Sequence, residues 1–369
     1  MSFLSCTPSV FVIGREYEIL LILKAYGLCY IKVGDEIYYE ENSGVLPSER
    51  RIVKIRLPQK SLDDAKGYTV VFRETEERKS YFSTFKPLQT QEFIFKPLEK
   101  TENIHIYHIA DVHYRFEEAK KMARYFGEDT DLFVVNGDIG EVETEENFLE
   151  VCELVGEISK GEIPVIFVRG NHDTRGRLAE LYSKYFPVDG KKTYFSFELG
   201  CLNGVVLDCG EDKPDSNEEY DATKETPQEY RGTNRFHAYR QQQLRFLQTT
   251  ALETENKITF AISHICPIKA TSYAGSVFDI ERELYGRWNA ELERLKVKFM
   301  LCGHFHKSFV LNKNDERSLL SHEYSVIVGS VCSKEKLMGA AITLNKNEMT
   351  VCMTDESHSI AETYVISLS

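Results

Sequence analysis

The sequence predicts a large α/β layer domain preceded by a small all-β sandwich, and three observations carry that expectation. Up to residue 99, short β-type runs follow one another with turn signals between them. From residue 103 onward, apolar strands alternate with amphipathic segments, as helices packed on a sheet require. The chain has 369 residues, 42% of them hydrophobic and 28% charged, a globular balance with enough length for two domains. The expected division is 1–99 for an N-terminal β-sandwich domain and 100–369 for the α/β domain.

In the first part, residues 17–23, 28–33, 51–57, 68–73 and 92–95 read as strands, with Gly34-Asp35 and Asn42-Ser43-Gly44 as turns. Leu62 lies six residues before Tyr68, a spacing that resembles the tyrosine-corner region of fibronectin-type-III-like domains. In the second part, strands are expected at 104–110, 132–136, 165–168, 205–207, 258–263 and 297–301. Phe116, Ala119, Ala123 and Phe126 recur at helical spacing, with Gly127 placed to end that helix. Thr144 is a helix cap ahead of Phe148, Val151, Val155 and Ile158, with Gly161 beyond the helix end. Residues 241–247 and 282–296 read as further helices, the latter packing Leu284, Trp288, Leu292 and Leu295 on the sheet. Asn345-Lys346-Asn347 reads as a hairpin turn before a strand at 350–353.

A formal net charge of -13 disfavours nucleic acid, whose binding relies on cationic side chains neutralising phosphates. A small anionic substrate is compatible with it if bound metal ions dominate the local field. Nine cysteines without a Cys-x-x-Cys pair suggest a reducing compartment. The mildly apolar run at 3–14 has no basic residue before it and no small-residue cleavage site after it, so no signal peptide is expected. No run approaches the roughly 18 apolar residues of a membrane span. A cytoplasmic protein with no membrane partner is the expectation.

The chemistry is concentrated where strands end. The strand at 104–110 runs into Asp111-Val112-His113, that at 132–136 into Gly137-Asp138, and that at 165–168 into Arg169-Gly170-Asn171-His172-Asp173. The strand at 258–263 ends at His264, and that at 297–301 runs into Cys302-Gly303-His304-Phe305-His306. Ligands bind beyond the carboxyl ends of strands in open α/β sheets, so groups distant in sequence can meet there. Two aspartates, an asparagine and four histidines form a mixed oxygen and nitrogen donor set suited to manganese, iron, zinc or a similar divalent ion. Alone, each has an ordinary structural explanation: an interior histidine, a turn aspartate, a capping asparagine. Their joint order favours a metal site.

These five blocks, Asp-x-His, Gly-Asp, Gly-Asn-His-Asp, a lone His and Gly-His-x-His, resemble the calcineurin-like metallophosphoesterase family from Asp111 to His306. The resemblance implies a four-layer α/β/β/α sandwich and a dinuclear centre of two divalent metal ions. Asp111, His113 and His306 would hold the first ion, Asn171, His264 and His304 the second, and Asp138 would bridge them. His172 would meet the phosphate and the leaving oxygen, and Asp173 would orient its ring. Two such ions acidify a bridging water and clamp an in-line displacement at phosphorus. The implied enzyme is a phosphoric ester hydrolase, attacking a small phosphomonoester with a metal-bridging hydroxide.

The block Gly137-Asp138-Ile139-Gly140-Glu141 lacks the tyrosine of purple acid phosphatases, which argues against a ferric centre, although the β-rich N-terminal layout resembles that group. Glu141 is the expected replacement for an outer hydrogen-bonding aspartate. The alternatives are a phosphodiesterase on a cyclic nucleotide or other small diester, then a nuclease, then a non-catalytic binding protein. Residues 210–239 form an acidic, polar loop from which Tyr230, Arg231, Asn234 and His237 are candidates to reach the substrate, with a solvated loop as the plain alternative. The sequence identifies no protein partner for the N-terminal part.

Overall fold

A computed structural model describes residues 2–41, 43–45, 49–214, 235–268, 271–276 and 278–368. The N-terminal elements are β1 (Ser9–Ile13), β2 (Glu16–Ile22), β3 (Gly27–Val33), β4 (Glu36–Tyr38), β5 (Ile52–Pro58), α1 (Gln59–Ala65), β6 (Gly67–Glu77), β7 (Thr84–Phe85) and β8 (Gln89–Ile94). Next come β9 (Ile104–Ile109), α2 (Phe116–Met122), β10 (Leu132–Asn136), α3 (Glu145–Ser159), β11 (Pro164–Val168), α4 (Tyr182–Tyr185), β12 (Phe195–Leu199) and β13 (Leu202–Leu207). The chain continues through α5 (Phe236–Thr249), β14 (Ile258–Ser263), α6 (Arg282–Arg294), β15 (Phe299–Cys302), β16 (Phe309–Leu311) and β17 (Ser325–Val328). It closes with β18 (Val331–Cys332), β19 (Leu337–Leu344), β20 (Glu348–Thr354) and β21 (Ile360–Ser367).

Two sheets form the body. One runs β21-β20-β19-β9-β10-β11-β1-β2-β5, with β18 beside β19, and the other β12-β13-β14-β15-β17-β16. Within the first, β9, β10, β11 and β1 are mutually parallel, and in the second β13, β14, β15 and β17 are. Parallel strands buried on both faces are continuously apolar, as in Leu132-Phe-Val-Val-Asn136 and Pro164-Val-Ile-Phe-Val168. Alternation then sorts the side chains. Ile104, Ile106, Val134 and Ile166 enter the core between the sheets with Phe260, Ile262 and Leu301, whereas Tyr107, Ile109, Val135 and Phe167 meet residues of α2 and α3 outside. Leu244, Leu247, Leu284, Trp288 and Leu292 of α5 and α6 cover the other sheet. The layers are therefore α/β/β/α, as the family resemblance implies.

The first 99 residues are all-β apart from the short α1, and their strands divide between two sheets. β4-β3-β6-β7, with β8 beside β6, make a small five-stranded sheet whose Ile31, Val33, Val70 and Phe72 join the central core. β1, β2 and β5 instead extend the first large sheet, so hydrogen-bond pairing crosses the expected boundary: Val10 pairs with Pro164 and Phe11 with Val165. The Ser-Val-Phe-Val-Ile run that looked too weak for a targeting signal is an interior strand, buried along its whole length. No tyrosine corner forms around Leu62, which lies in α1; Tyr68 Oη donates 3.0 Å to the carbonyl of Gly161, 93 residues away.

The local signals hold at several helix ends. Thr144 caps α3 in a reciprocal box, accepting from Asn147 N while the Asn147 side chain accepts from Thr144 N. α2 stops at Met122, short of the expected Phe126, whose ring stacks on His105. All nine cysteines are free thiols, and no described helix is long and apolar enough to cross a membrane.

Candidate metal centre

The carboxyl ends of β9, β10 and β11 in one sheet and of β14 and β15 in the other converge on one cluster. At these ends the backbone turns into the left-handed region: φ is 52° at Asp111, 44° at His113, 54° at Asp138, 73° at His304 and 53° at His306. Each such residue costs on the order of 1–2 kcal/mol without glycine's freedom and persists where its surroundings fix it. Here the turns are zipped together, with Asp111 N donating to Gly137 O (3.1 Å), His113 N to Asp138 O (3.2 Å) and Gly303 N to His264 O (2.9 Å). Glycine is required where those turns cross: a Cβ on Gly137 would lie 2.6 Å from Gly170 Cα, and one on Gly303 2.8 Å from Asp111 Oδ2.

His113, Asp111 and His306 form one group, with their ligand-type atoms within 4.8 Å of one another. The Nε2 atoms of His113 and His306 face each other at 3.2 Å, and His306 Nε2 is 3.4 Å from Asp111 Oδ1. Asp138, His264 and His304 form another such group. His264 Nδ1 meets Asn136 O at 2.6 Å, which directs Nε2 toward Asp138 Oδ2 (3.1 Å) and Asp111 Oδ1 (3.6 Å). The Asn171 carboxamide lies 3.0 Å from His304 Nδ1. Asp138 thus sits beside both groups, and all seven predicted donors meet.

Two details test whether this donor set fits a cation. Asp111 Oδ1 is fully buried without a hydrogen-bond donor, although its other oxygen receives His304 N at 2.8 Å and the Ser330 hydroxyl. Asn171 presents its carboxamide to Asp138 Oδ2 and His304 Nδ1, 3.2 and 3.0 Å away, whichever way the amide is turned. A buried carboxylate oxygen without a donor is costly unless positive charge lies beside it. The residues fit divalent cations.

Electrostatics point the same way. Burial alone would push Asp111 and Asp138 up, yet the neighbouring His264, with His306 and Ser330 beside Asp111, draws both carboxyls below the usual range. Reciprocally, Asp138 and Asp111 overcome burial and lift His264 to about 10. Burial and the Asp138 charge raise Asp173 to about 7. Burial lowers His113 and His172.

His172 sits at the rim, 38% exposed, with Nε2 4.0 Å from Asp138 Oδ2 and 3.4 Å from Arg175 Nη1. The Asp173 carboxylate does not take up the expected orienting role. It accepts from Gly170 N (2.7 Å) and Asp138 N (3.3 Å), bracing the two ligand loops, and among the described residues it makes no hydrogen bond to the His172 ring. Glu141 is exposed and its carboxylate makes no hydrogen bond among the described residues, so the expected outer-sphere role falls away. Tyr230, Arg231 and Asn234 lie outside the described residues. His237 lies on α5, bound to Glu281 Oε1 at 2.8 Å, and belongs to none of the groups of ligand-type atoms, the third of which joins His113, Asp138 and His172. His105, His108, His322 and His358 bond to neighbouring backbone or, for His108, to Asn136, as interior and surface histidines do.

Sequence reasoning passed over Asp208, Glu211, Asp212, Arg175 and Ser330. Arg169 donates to Asp208 (2.7 Å), Arg175 forks onto Glu211 (2.6 and 2.7 Å), and Asp212 Oδ2 lies 3.2 Å from His304 Nε2. The signal for the acidic three was present, since they follow β13 at the same sheet edge.

The family profile described as calcineurin-like phosphoesterase matches residues 104–308, more than half of the chain. Among solved structures, a purple acid phosphatase from yellow lupin (Lupinus luteus) is similar at a TM-score of 0.60 and 11% identity, covering 98% of this chain and 74% of its own. PhoD is similar at a TM-score of 0.52 and 12% identity, covering 100% of this chain and 90% of its own. At such identities the likeness concerns the fold. No curated protein matches significantly. With the profile spanning the strands that deliver the donors, this chain belongs to the calcineurin-like phosphoesterase family, whose chemistry is metal-dependent hydrolysis of phosphoesters.

Proposed function

We propose that the chain hydrolyses a small phosphomonoester at a centre of two divalent cations. The observation that carries this reading is the convergence of the seven oxygen and nitrogen donors: the buried Asp111 Oδ1 without a hydrogen-bond partner, the His113 and His306 Nε2 atoms 3.2 Å apart, and the Asn171 carboxamide 3.0 Å from His304 Nδ1. Asp111, His113 and His306 would hold one ion and Asn171, His264 and His304 the other, with Asp138 between them. Such a pair supplies Lewis acidity and makes water a nucleophile near neutral pH.

The chain's own part is positioning and proton transfer. Asp138 is fixed by the His172 amide, which donates to Oδ1 at 2.8 Å, so the loop carrying His172 and the carboxylate between the two groups move together. His172, half-buried at the rim, is placed to give a proton to the departing oxygen, a contribution of about 10² to 10⁴ in rate. Arg175 beside it adds donors for phosphoryl oxygens, and Glu211 sets their direction. The net charge of -13 supports a small ester over nucleic acid.

The test is metal analysis of the purified protein coupled to parallel assays on p-nitrophenyl phosphate and bis-p-nitrophenyl phosphate. Two ions per chain and faster monoester turnover are expected. Preferential diester turnover would replace the monoester reading with a phosphodiesterase, and fewer than two ions with no hydrolysis across a broad panel would sink both.

A further inference from the structure

The segment after β13 is built more firmly than a substrate loop needs. Arg240, fully buried on α5, donates from Nε to Cys209 O (2.8 Å) and from Nη2 to Glu211 O. Gly210 N donates to Asp208 Oδ1 (2.7 Å), and Gln243 Oε1 accepts from Asp208 N (2.8 Å). Gly210 adopts φ 66°, and a Cβ there would lie 2.2 Å from the Phe236 ring. Residues 208–211 are therefore held from behind by α5, and the next side chain, Asp212, is buried against the metal cluster.

Asp212 Oδ2 lies 3.2 Å from His304 Nε2, while Nδ1 of the same ring faces Asn171 Oδ1 at 3.0 Å. A carboxylate beside one ring nitrogen accepts a hydrogen bond from its N–H and so holds the proton there, which leaves the other nitrogen with a lone pair and a fixed direction. Lys213 Nζ reaches the other Asp212 oxygen at 3.0 Å and pins the carboxylate from its far side.

We infer that Asp212 is the positioning carboxylate of the cation site formed by His304, Asn171 and His264: it selects the Nε2–H tautomer of His304 and so presents Nδ1 as the ligand atom. This rests on the dinuclear reading above and adds a residue outside the family's five sequence blocks. Its consequence is unequal: losing Asp212 weakens this site and leaves that of Asp111, His113 and His306 intact.

The test uses the metal-depleted full chain, titrated with Mn2+ by calorimetry and by electron paramagnetic resonance, for wild type, Asp212→Asn and Asp212→Ala. Carboxylate partners of ligand histidines typically carry about 10- to 100-fold in metal affinity. The expected result is a loss in that range confined to one of two ions, larger for Ala than for Asn, with uncoupled single-ion spectra at limiting Mn2+ where wild type shows a coupled pair. An unchanged melting temperature of the metal-free Asn variant would show that the fold is intact. Two ions bound by both variants within threefold of wild type would overturn the assignment while leaving the dinuclear reading in place. A wild type that binds fewer than two ions would overturn both.

Discussion

Gly170 lies between Val168 and Asn171, and its backbone is not in the left-handed region, so alanine there changes space alone. The added Cβ would fall 2.1 Å from Asp138 Oδ1 and 2.6 Å from Asp138 N. Ordinary contact begins at 3.4 Å, so the carboxylate oxygen must retreat by 3.4 − 2.1 = 1.3 Å. That retreat breaks the 2.8 Å bond from His172 N and draws Asp138 from its place beside His264. A displacement of about 1 Å among reacting groups costs on the order of 10²-fold in rate, and overpacking a filled site costs about 1–3 kcal/mol. Gly170→Ala should therefore lose about 100-fold in kcat/KM on p-nitrophenyl phosphate at saturating Mn2+, together with bound metal measured by mass spectrometry. Gly190→Ala is the control: it sits in open space at φ 66°, so backbone strain is the only penalty and activity should be unchanged. A Gly170→Ala enzyme with full metal content and activity within threefold of wild type would refute the argument that Asp138 is fixed by contact with Gly170.

Other substitutions separate the roles. His172→Ala should keep both ions yet lose most turnover on esters with poor leaving groups, whereas Asp138→Ala should lose metal as well, and both follow from metal content read beside a leaving-group series. Ser330→Ala removes the hydroxyl that donates to Asp111 Oδ2 and should weaken Mn2+ binding about 10-fold by calorimetry. Asp173 titrates at about 7 in the folded, metal-free chain and near 3.8 when unfolded, so between these values the unfolded chain releases the proton first. Its contribution to stability is present below pH 3.8 and lost as pH rises through about 7; urea unfolding with chelator at pH 5 and pH 8 should show a smaller difference for Asp173→Asn than for wild type. Thr144→Ala deletes the capping box of α3 and should cost about 1 kcal/mol in the same assay, with activity unaffected.

The cluster was legible because its signal is positional. β10, β11, β14 and β15 are mainly apolar runs and β9 alternates isoleucines with more polar residues; each is followed by a donor, and the rule that such ends share one sheet edge needs no tertiary information. The same rule, applied to β13, would have found Asp208 and the acidic pair after it. Glu211 and Asp212 were instead read into the loop at 210–239, because a polar segment without periodicity hides where its rigid part stops. Asp173 illustrates a different limit: the family resemblance implied that it orients the His172 ring, but two backbone N–H groups within reach compete for the same carboxylate. β1 was missed because a five-residue buried strand has no alternation to reveal it, and which sheet it joins depends on partners more than 150 residues away.

That short strand has consequences for anyone who would dissect the molecule. A chain beginning at residue 100 would leave the flank of Pro164–Val168 bare, an unpaired row of amides and carbonyls of the kind that recruits other polypeptides. It would also strip the cover that Val10 and Val12 give the central core. Aggregation of such a fragment would follow from a missing neighbour in the sheet, whatever the integrity of the metal ligands, and a swap of the first third between relatives must carry a matching seam along that flank.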